Sequence, residues 1–407
     1  MSIKMQRSAL DEIAREQKKD AFSADEIITQ RTLMSDLPNI QTHALIFSGI
    51  RRCGKSTLLR QFVRHTFEDV FYLNFEDVRL YGFEVKDFVL LDEVIRDTGL
   101  KVLYFDEIQV VEGWELFVRQ KLDQKFQVII TGSNASLLSV ELGTKLTGRH
   151  ITKELFPFSF AEYLDFRQAK ANAKTLLEYL TYGGFPEYLK RKLLEILEFL
   201  INDILNRDII VRYGLKDAGS IKKLCSYLLS NNGTLMVPSK LTSAIGVKSS
   251  TTVLSYFSYF ENSYLIATIP KFNWSQKAQL LSPKKMYVID PGLVQIGSTS
   301  FSRNMGHLLE SVVFWHLRRK TKEIYYFNDN NSECDFVVRL KDKTTQLIQV
   351  CWELTPENLE REINGLTDAM RFFNTKNALV VTAGSTDTIR TDLDLINVVP
   401  AYEYLMT

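Results

Sequence analysis

The chain has 407 residues, of which 45% are hydrophobic and 24% charged. This is an ordinary globular composition that excludes a wholly disordered or fibrous protein and suits two or three domains. Fifty basic against 49 acidic side chains leave a net charge of +1, so bulk charge supplies no pull toward nucleic acid or an anionic membrane. Cys53, Cys225, Cys334 and Cys351 form no CxxC pair, and the charged N-terminus holds no signal-peptide core. No apolar run approaches the ~18 residues that span a bilayer. A reducing, cytoplasmic setting with no membrane partner is the expectation.

In chain order, Ser8 to Lys19 reads as an amphipathic helix. From His43 short apolar runs alternate with helical spacing. His43–Phe47 (HALIF) is a strand, Lys55–Phe67 a helix and Val70–Phe75 (VFYLNF) a strand. Val85–Asp97 is a helix, Lys101–Phe105 (KVLYF) a third strand and Gln127–Thr131 (QVIIT) a fourth. Such runs separated by helices predict an α/β domain built on a parallel sheet covered on both faces. Phe158 to Ile210 is mostly helical, interrupted at Gly183-Gly184-Phe185-Pro186. Short helices follow over Gly219–Asn262, then strands at Leu265–Ile269 and Lys285–Ile289. Gly, Pro and Ser cluster between Asp290 and Ser302 and mark a boundary. The last hundred residues mix helices and strands.

Gly49-Ile50-Arg51-Arg52-Cys53-Gly54-Lys55-Ser56 fits GxxxxGK[ST] between a strand and a helix. Glycines there let backbone N–H groups turn inward around phosphates, and the helix start adds its positive dipole end. Lys55 is positioned to reach the β- and γ-phosphates of ATP, with Thr57 following in the same turn. The Ser56 hydroxyl is a ligand for Mg²⁺. Asp106, at the end of KVLYFD, is the matching acid for Mg²⁺. Glu107 is the base that activates water for attack on the γ-phosphate. Ser133 and Asn134 end the fourth strand, where a polar group senses the γ-phosphate or orients the water; a helix N-cap is the plainer role. Arg149 can reach a γ-phosphate in its own subunit or a neighbour's, or form a surface salt bridge. Cys53 reads as a small residue that fits the loop. Its place beside Lys55 and a helix start also predicts a lowered pKa and a thiol whose alkylation blocks nucleotide binding.

GIRRCGKSTLL, YLNFED, LYFDEIQVVEGWE, ITGSNASLL, LTGRHITKELFPFSFAEYL and YGGFPEYL follow one another in this order. Together they resemble the AAA+-type P-loop ATPases of archaea and bacteria that carry a C-terminal module of uncharacterised function. The resemblance runs from about Arg31 onward. It implies an ASCE-type P-loop NTPase sheet with Asp106 and Glu107 adjacent in the acidic motif, a sensor at Ser133-Asn134 and a candidate arginine finger at Arg149. It also implies a helical lid, a winged helix and a terminal α/β domain similar to PD-(D/E)XK restriction-endonuclease-like nucleases. The corresponding domains are 1–155, 156–210, 211–300 and 301–407.

Ser239–Gly246 reads as a short helix closed by glycine, followed by a turn with Ser250 as N-cap. Val253, Leu254, Phe257 and Phe260 then recur at helical spacing. That is a helix-turn-helix pattern whose second helix carries no Lys or Arg. A nuclease needs a helix acid, an Asp, and E-x-K on the next strand. Glu310 and Asp335 supply the first two, but Gln349 and Cys351 stand where Glu and Lys belong. Gln is a weak ligand and Cys cannot replace an ammonium, so the domain reads as degenerate. Glu353 shares a strand face with Gln349 and Cys351 and is a substitute ligand, without restoring a lysine.

Counted by segment, the neutrality is a cancellation. Residues 211–300 carry 10 basic and 3 acidic side chains. Lys222, Lys223, Lys240, Lys248, Lys271, Lys277, Lys284 and Lys285 contribute to the surplus, which suits phosphate neutralisation. The sequence therefore points to an ATP- and Mg²⁺-dependent ATPase coupled to DNA through 211–300, or to a protein partner or self-association. A slow regulatory NTPase switch, a small-molecule kinase and an ATP-dependent nuclease are the alternatives. The kinase is disfavoured, because Glu107 suits water activation and further domains follow.

Overall fold

The structure, a computed structural model, describes residues 5–23, 29–38, 40–135, 140–297, 304–329 and 332–407. The end of the boundary read at Asp290–Ser302 lies outside the described residues. The chain divides into two compact units, Met1–Phe156 and Pro157–Thr407.

In the first unit the elements are α1 (Arg7–Phe22), β1 (Ala44–Gly49), α2 (Lys55–Thr66), β2 (Phe71–Asn74) and α3 (Phe88–Thr98). They continue as β3 (Val102–Asp106), α4 (Trp114–Asp123), β4 (Gln127–Gly132), α5 (Val140–Lys145) and β5 (His150–Leu155). The five strands are all parallel, in the order β2-β3-β4-β1-β5. β1, β3 and β4 are buried almost throughout, as their unbroken apolar runs require. Leu10 and Ile13 of α1, Leu91 and Ile95 of α3, and Phe117 and Leu122 of α4 join Leu73, Phe105 and Ile130 in one core. Phe88 stacks on Phe117 with ring centroids 4.4 Å apart. The parallel five-stranded sheet is that of a P-loop NTPase-like α/β fold. β5 carries no sequence signal because HITKEL, half-buried at the sheet edge, lacks an apolar run.

The second unit opens with α6 (Phe160–Arg167), α7 (Ala173–Tyr182), α8 (Pro186–Arg191) and α9 (Glu195–Asp203), the last continuing as a π-helix over Ile204–Val211. Next come α10 (Ala218–Ser230), β6 (Thr234–Met236), α11 (Pro238–Ile245) and α12 (Ser250–Asn262). β7 (Ile266–Pro270), α13 (Gln276–Leu281), β8 (Lys284–Val288) and α14 (Pro291–Gly297) complete this part. β6, β8 and β7 form an antiparallel sheet in that order. The cap of α12 is Ser249, whose hydroxyl accepts from Thr251 N, rather than Ser250. Tyr256 takes the core position expected for Leu254, which is 51% exposed.

The Gly183-Gly184 turn has a packing cause. A side chain at Gly183 would overlap the Asp290 carboxylate, and one at Gly184 the Phe158 carbonyl. Buried Asp290 accepts hydrogen bonds from Gly184 N at 2.6 Å and Gly292 N at 2.9 Å. Burial raises its pKa to about 7 against those bonds.

The terminal part holds α15 (Met305–Lys320), β9 (Ile324–Asp329), β10 (Ser332–Arg339), β11 (Thr345–Val350) and α16 (Pro356–Phe373). It ends with β12 (Ala378–Thr382), β13 (Asp387–Arg390), β14 (Leu395–Pro400) and α17 (Ala401–Tyr404). Its six-stranded mixed sheet runs β13-β14-β12-β11-β10-β9. Val337, Leu347, Leu366, Met370, Val380 and Val398 close a core between this sheet and α16.

Candidate nucleotide site

The phosphate loop leaves the C-terminal end of β1 and enters α2. Gly49 must lack a side chain because a Cβ would overlap the Leu155 carbonyl of neighbouring β5. Gly54 has φ +98°, a left-handed conformation that glycine adopts at little cost. Arg52 also lies in the left-handed region, at φ 61°. Ile50 is fully buried, and Arg51 pairs with Glu76 at 2.9 Å. Buried Lys55 donates to Gly49 O and Ile50 O, both at 3.0 Å, and so lies along the inside of the loop. Thr57 accepts from Arg60 Nη2 at 3.3 Å. Arg31, buried before β1, carries no spacing signal in the sequence. It donates to Cys53 O at 2.8 Å and Phe156 O at 2.7 Å, anchoring the loop to the end of β5.

Because β4 lies between β1 and β3, the acidic motif ends one strand away from the loop. Ser56 Oγ donates to Asp106 Oδ2 at 3.1 Å. The other Asp106 oxygen accepts from the Thr131 hydroxyl, and Tyr72 OH reaches Oδ2 at 3.3 Å. Burial raises the Asp106 pKa, while the Thr131 and Ser56 hydroxyls and Lys55 favour its ionised form. Glu107 takes φ 52°, unusual for a non-glycine residue. That geometry turns its carboxylate toward β4, where Oε2 accepts from Ser133 N at 3.2 Å and from Gln109 Nε2. Loss of hydration raises the Glu107 pKa, Lys55 opposes, and Asp106 adds to the rise. A hydroxyl beside a buried carboxylate at the start of a helix is a hard-oxygen donor set, which fits Mg²⁺. Ser133 and Asn134 are both buried at the end of β4. Asn134 O accepts from Ser48 Oγ at 2.7 Å. The Ser133 hydroxyl makes no hydrogen bond among the described residues. Thr131, which the sequence marks only as the end of a strand, bonds to both Asp106 and Glu107.

Two expectations need correction. Arg149 precedes β5 at the edge of the sheet opposite the phosphate loop, since His150 is in register with Ala44 and Leu155 with Gly49. Five steps of about 3.3 Å make roughly 16 Å, more than an arginine side chain spans. Arg149 therefore cannot reach the phosphate loop of its own chain. It pairs instead with Asp123 at 2.8 Å and Thr147 at 3.2 Å. Cys53 is fully buried and its thiol donates to Leu155 O at 3.4 Å. The thiol is therefore not presented at the surface, contrary to the expectation of an accessible, reactive cysteine.

Residues 41–164 match the family described as AAA domain, and residues 173–299 match a domain of unknown function (DUF8612). An uncharacterised protein of Methanocaldococcus jannaschii is 33% identical over 396 residues, covering 89% of this chain and 88% of that protein. The chain belongs to the same family as that archaeal protein. An uncharacterised protein of Haemophilus influenzae is 32% identical over 343 residues, covering 78% of this chain and 84% of its own length. The AAA domain indicates a nucleotide-binding, ATPase-like function, and such P-loop domains bind ATP with Mg²⁺. No helix among the described residues is long and apolar enough to cross a membrane.

In the second unit, Lys222, Lys223, Lys240, Lys248, Lys277 and Lys284 are exposed. Lys285 is not. It is buried and bonded to Glu310 and Asp335, so it cannot serve a phosphate backbone. Glu310 on α15 and Asp335 on β10 both contact Lys285 Nζ, each at 2.8 Å. Gln349 contacts Asp335 N at 3.2 Å and Glu362 Oε2 at 2.5 Å. Cys351 is buried, and burial pushes its thiol up to about 12. Glu353 lies past the end of β11, exposed, and so does not share the strand face expected for it. Among the described residues no group of three or more His, Cys, Asp or Glu side chains is arranged to hold a metal ion.

Proposed function

We propose that this protein hydrolyses ATP with Mg²⁺, using Asp106 and Ser56 as the metal side of the site and Glu107 as the base. The contact that carries the reading is the 3.1 Å hydrogen bond from Ser56 Oγ to buried Asp106, which joins the phosphate loop to the acidic strand. Lys55 binds the β- and γ-phosphates, and the loop N–H groups with the α2 dipole orient them. Ser56 and Asp106 would hold Mg²⁺, which would supply neutralisation of phosphate charge. Glu107 accepts the proton of the attacking water, and Ser133 N holds its carboxylate in place. Ser133 and Asn134 are the sensor pair. Arg149 acts, if on any γ-phosphate, on that of a second copy.

Residues 211–300 are proposed as a winged helix that couples nucleotide state to DNA. The helix-strand-helix-helix order of α10, β6, α11 and α12, followed by β7 and β8, supports this. The exposed lysines suit backbone contact more than base readout, since the exposed face of α12 offers only Ser250, Thr251, Leu254 and Ser258. The terminal domain is proposed as a degenerate PD-(D/E)XK fold without nuclease activity. Steady-state ATP hydrolysis with and without duplex DNA tests both parts. Glu107→Gln should keep ATP binding and lose about 10²–10⁴-fold in turnover, the range of a general base. Hydrolysis that survives that change refutes the base assignment. Turnover indifferent to DNA at low salt, with no DNA binding, refutes the coupling.

A further inference from the structure

Lys285 lies on β8, in the three-stranded sheet, yet its ammonium is seated among acids of the terminal domain. Nζ is 2.8 Å from Glu310 Oε1, 2.8 Å from Asp335 Oδ1 and 3.0 Å from Glu333 Oε1. The side chains of Lys285, Glu310 and Asp335 are 7%, 6% and 8% exposed. Tyr287, two residues on and on the same face of β8, donates to the same Glu310 oxygen at 2.7 Å. The second Asp335 oxygen accepts from Val350 N at 2.9 Å. These carboxylates converge from a helix and a strand on one point, and an ammonium with three donors fills it.

We propose that the acidic cleft of the terminal domain is a cation site whose resident cation is the Lys285 ammonium, so that β8 plugs the cleft and bolts the three-stranded sheet to the terminal domain. Lys285, Glu310 and Asp335 are buried, and the half-exposed Glu333 carboxylate closes the solvent side of the ammonium. This seating explains why one member of a lysine-rich segment is withheld from the surface while its neighbour Lys284 is exposed. The inference does not rest on the nucleotide reading.

Terbium(III) luminescence, sensitised by Tyr287, tests it on the full chain. Wild-type protein should give no terbium signal that Asp335→Ala removes. Lys285→Ala should gain one, and Lys285→Ala/Tyr287→Phe should lose it again, which separates it from terbium bound at the nucleotide site. An Asp335-dependent signal in wild type equal to that of Lys285→Ala overturns the proposal, as does a folded Lys285→Ala with no gain. Should that variant not fold, acetylation of wild type read by mass spectrometry decides. Lys284 should be modified and Lys285 protected, and equal modification of the two overturns the proposal.

Discussion

Removing the Thr131 hydroxyl with Thr131→Val gives a direct test of how the two acids are held. Thr131 is fully buried and its hydroxyl donates to Asp106, while Glu107 N reaches Thr131 Oγ1 at 3.3 Å and Thr131 O at 3.1 Å. Valine keeps the shape and the backbone bond but removes the donor to a charged, buried oxygen. A hydrogen bond to a charged group contributes about 1.5–3 kcal/mol, which at about 1.4 kcal/mol per decade corresponds to roughly 10- to 100-fold in rate or cation affinity. Burial raises the Asp106 pKa, and Thr131 is the strongest hydrogen bond opposing that rise. Its loss raises the pKa further, so the acid limb of the activity profile moves to higher pH. The assay is ATP turnover against Mg²⁺ concentration at several pH values. Turnover and Mg²⁺ dependence within about twofold of wild type, with an unmoved acid limb, would refute the hydrogen-bond argument, since the expected effect is at least tenfold.

Arg149→Ala should leave turnover unchanged in dilute protein, because the residue lies at the far edge of its own sheet. A loss under dilute, monomeric conditions would show that the arginine reaches its own site after all. Asp290 gives a pH signature. Its folded pKa of about 7 exceeds the ordinary carboxylate value of 3.8, so its contribution is fully present below about pH 4 and is lost as pH rises through 7. At 1.36 kcal/mol per unit the change approaches about 4 kcal/mol. Denaturant melts of wild type and Asp290→Asn should therefore diverge across that window, with only the wild type losing this term.

Local chemistry was legible. The phosphate loop, Asp106 and Glu107 are read because their partners lie within a few residues or follow from a strand–loop–helix rule. Long-range pairings were not. Arg31 reaches Cys53 and Phe156, and Thr131 reaches Asp106 across 25 positions. Neither carries a spacing signal. β5 was invisible because an edge strand need not be apolar, and without β5 the position of Arg149 could not be set. Leu254 lies outside the core because the buried face follows Val253, Tyr256, Phe257 and Phe260, the i, i+3, i+4, i+7 set that a polar-tipped tyrosine obscures in the sequence.

Lys284 and Lys285 carry this lesson in adjacent positions. A count of charges treats them alike, but successive strand residues face opposite ways. Lys284 is exposed; Lys285 meets three carboxylates. Breaking a buried pair by removing one partner costs about 3–5 kcal/mol because the remaining charge is uncompensated. Glu310, whose pKa burial and Asp335 raise to about 8, can take up a proton once the ammonium is gone, so the lower part of that range is expected. Lys285→Met, which keeps the apolar stem, should lower unfolding stability by about 3 kcal/mol, and the loss should shrink at acid pH as the carboxylates protonate. Lys284→Met should leave stability within about 0.5 kcal/mol and flatten the salt dependence of DNA binding by about one phosphate contact. Equal melting of the two variants would mean that Lys285 is solvated, and that the positive surplus of 211–300 is all available to a phosphate backbone.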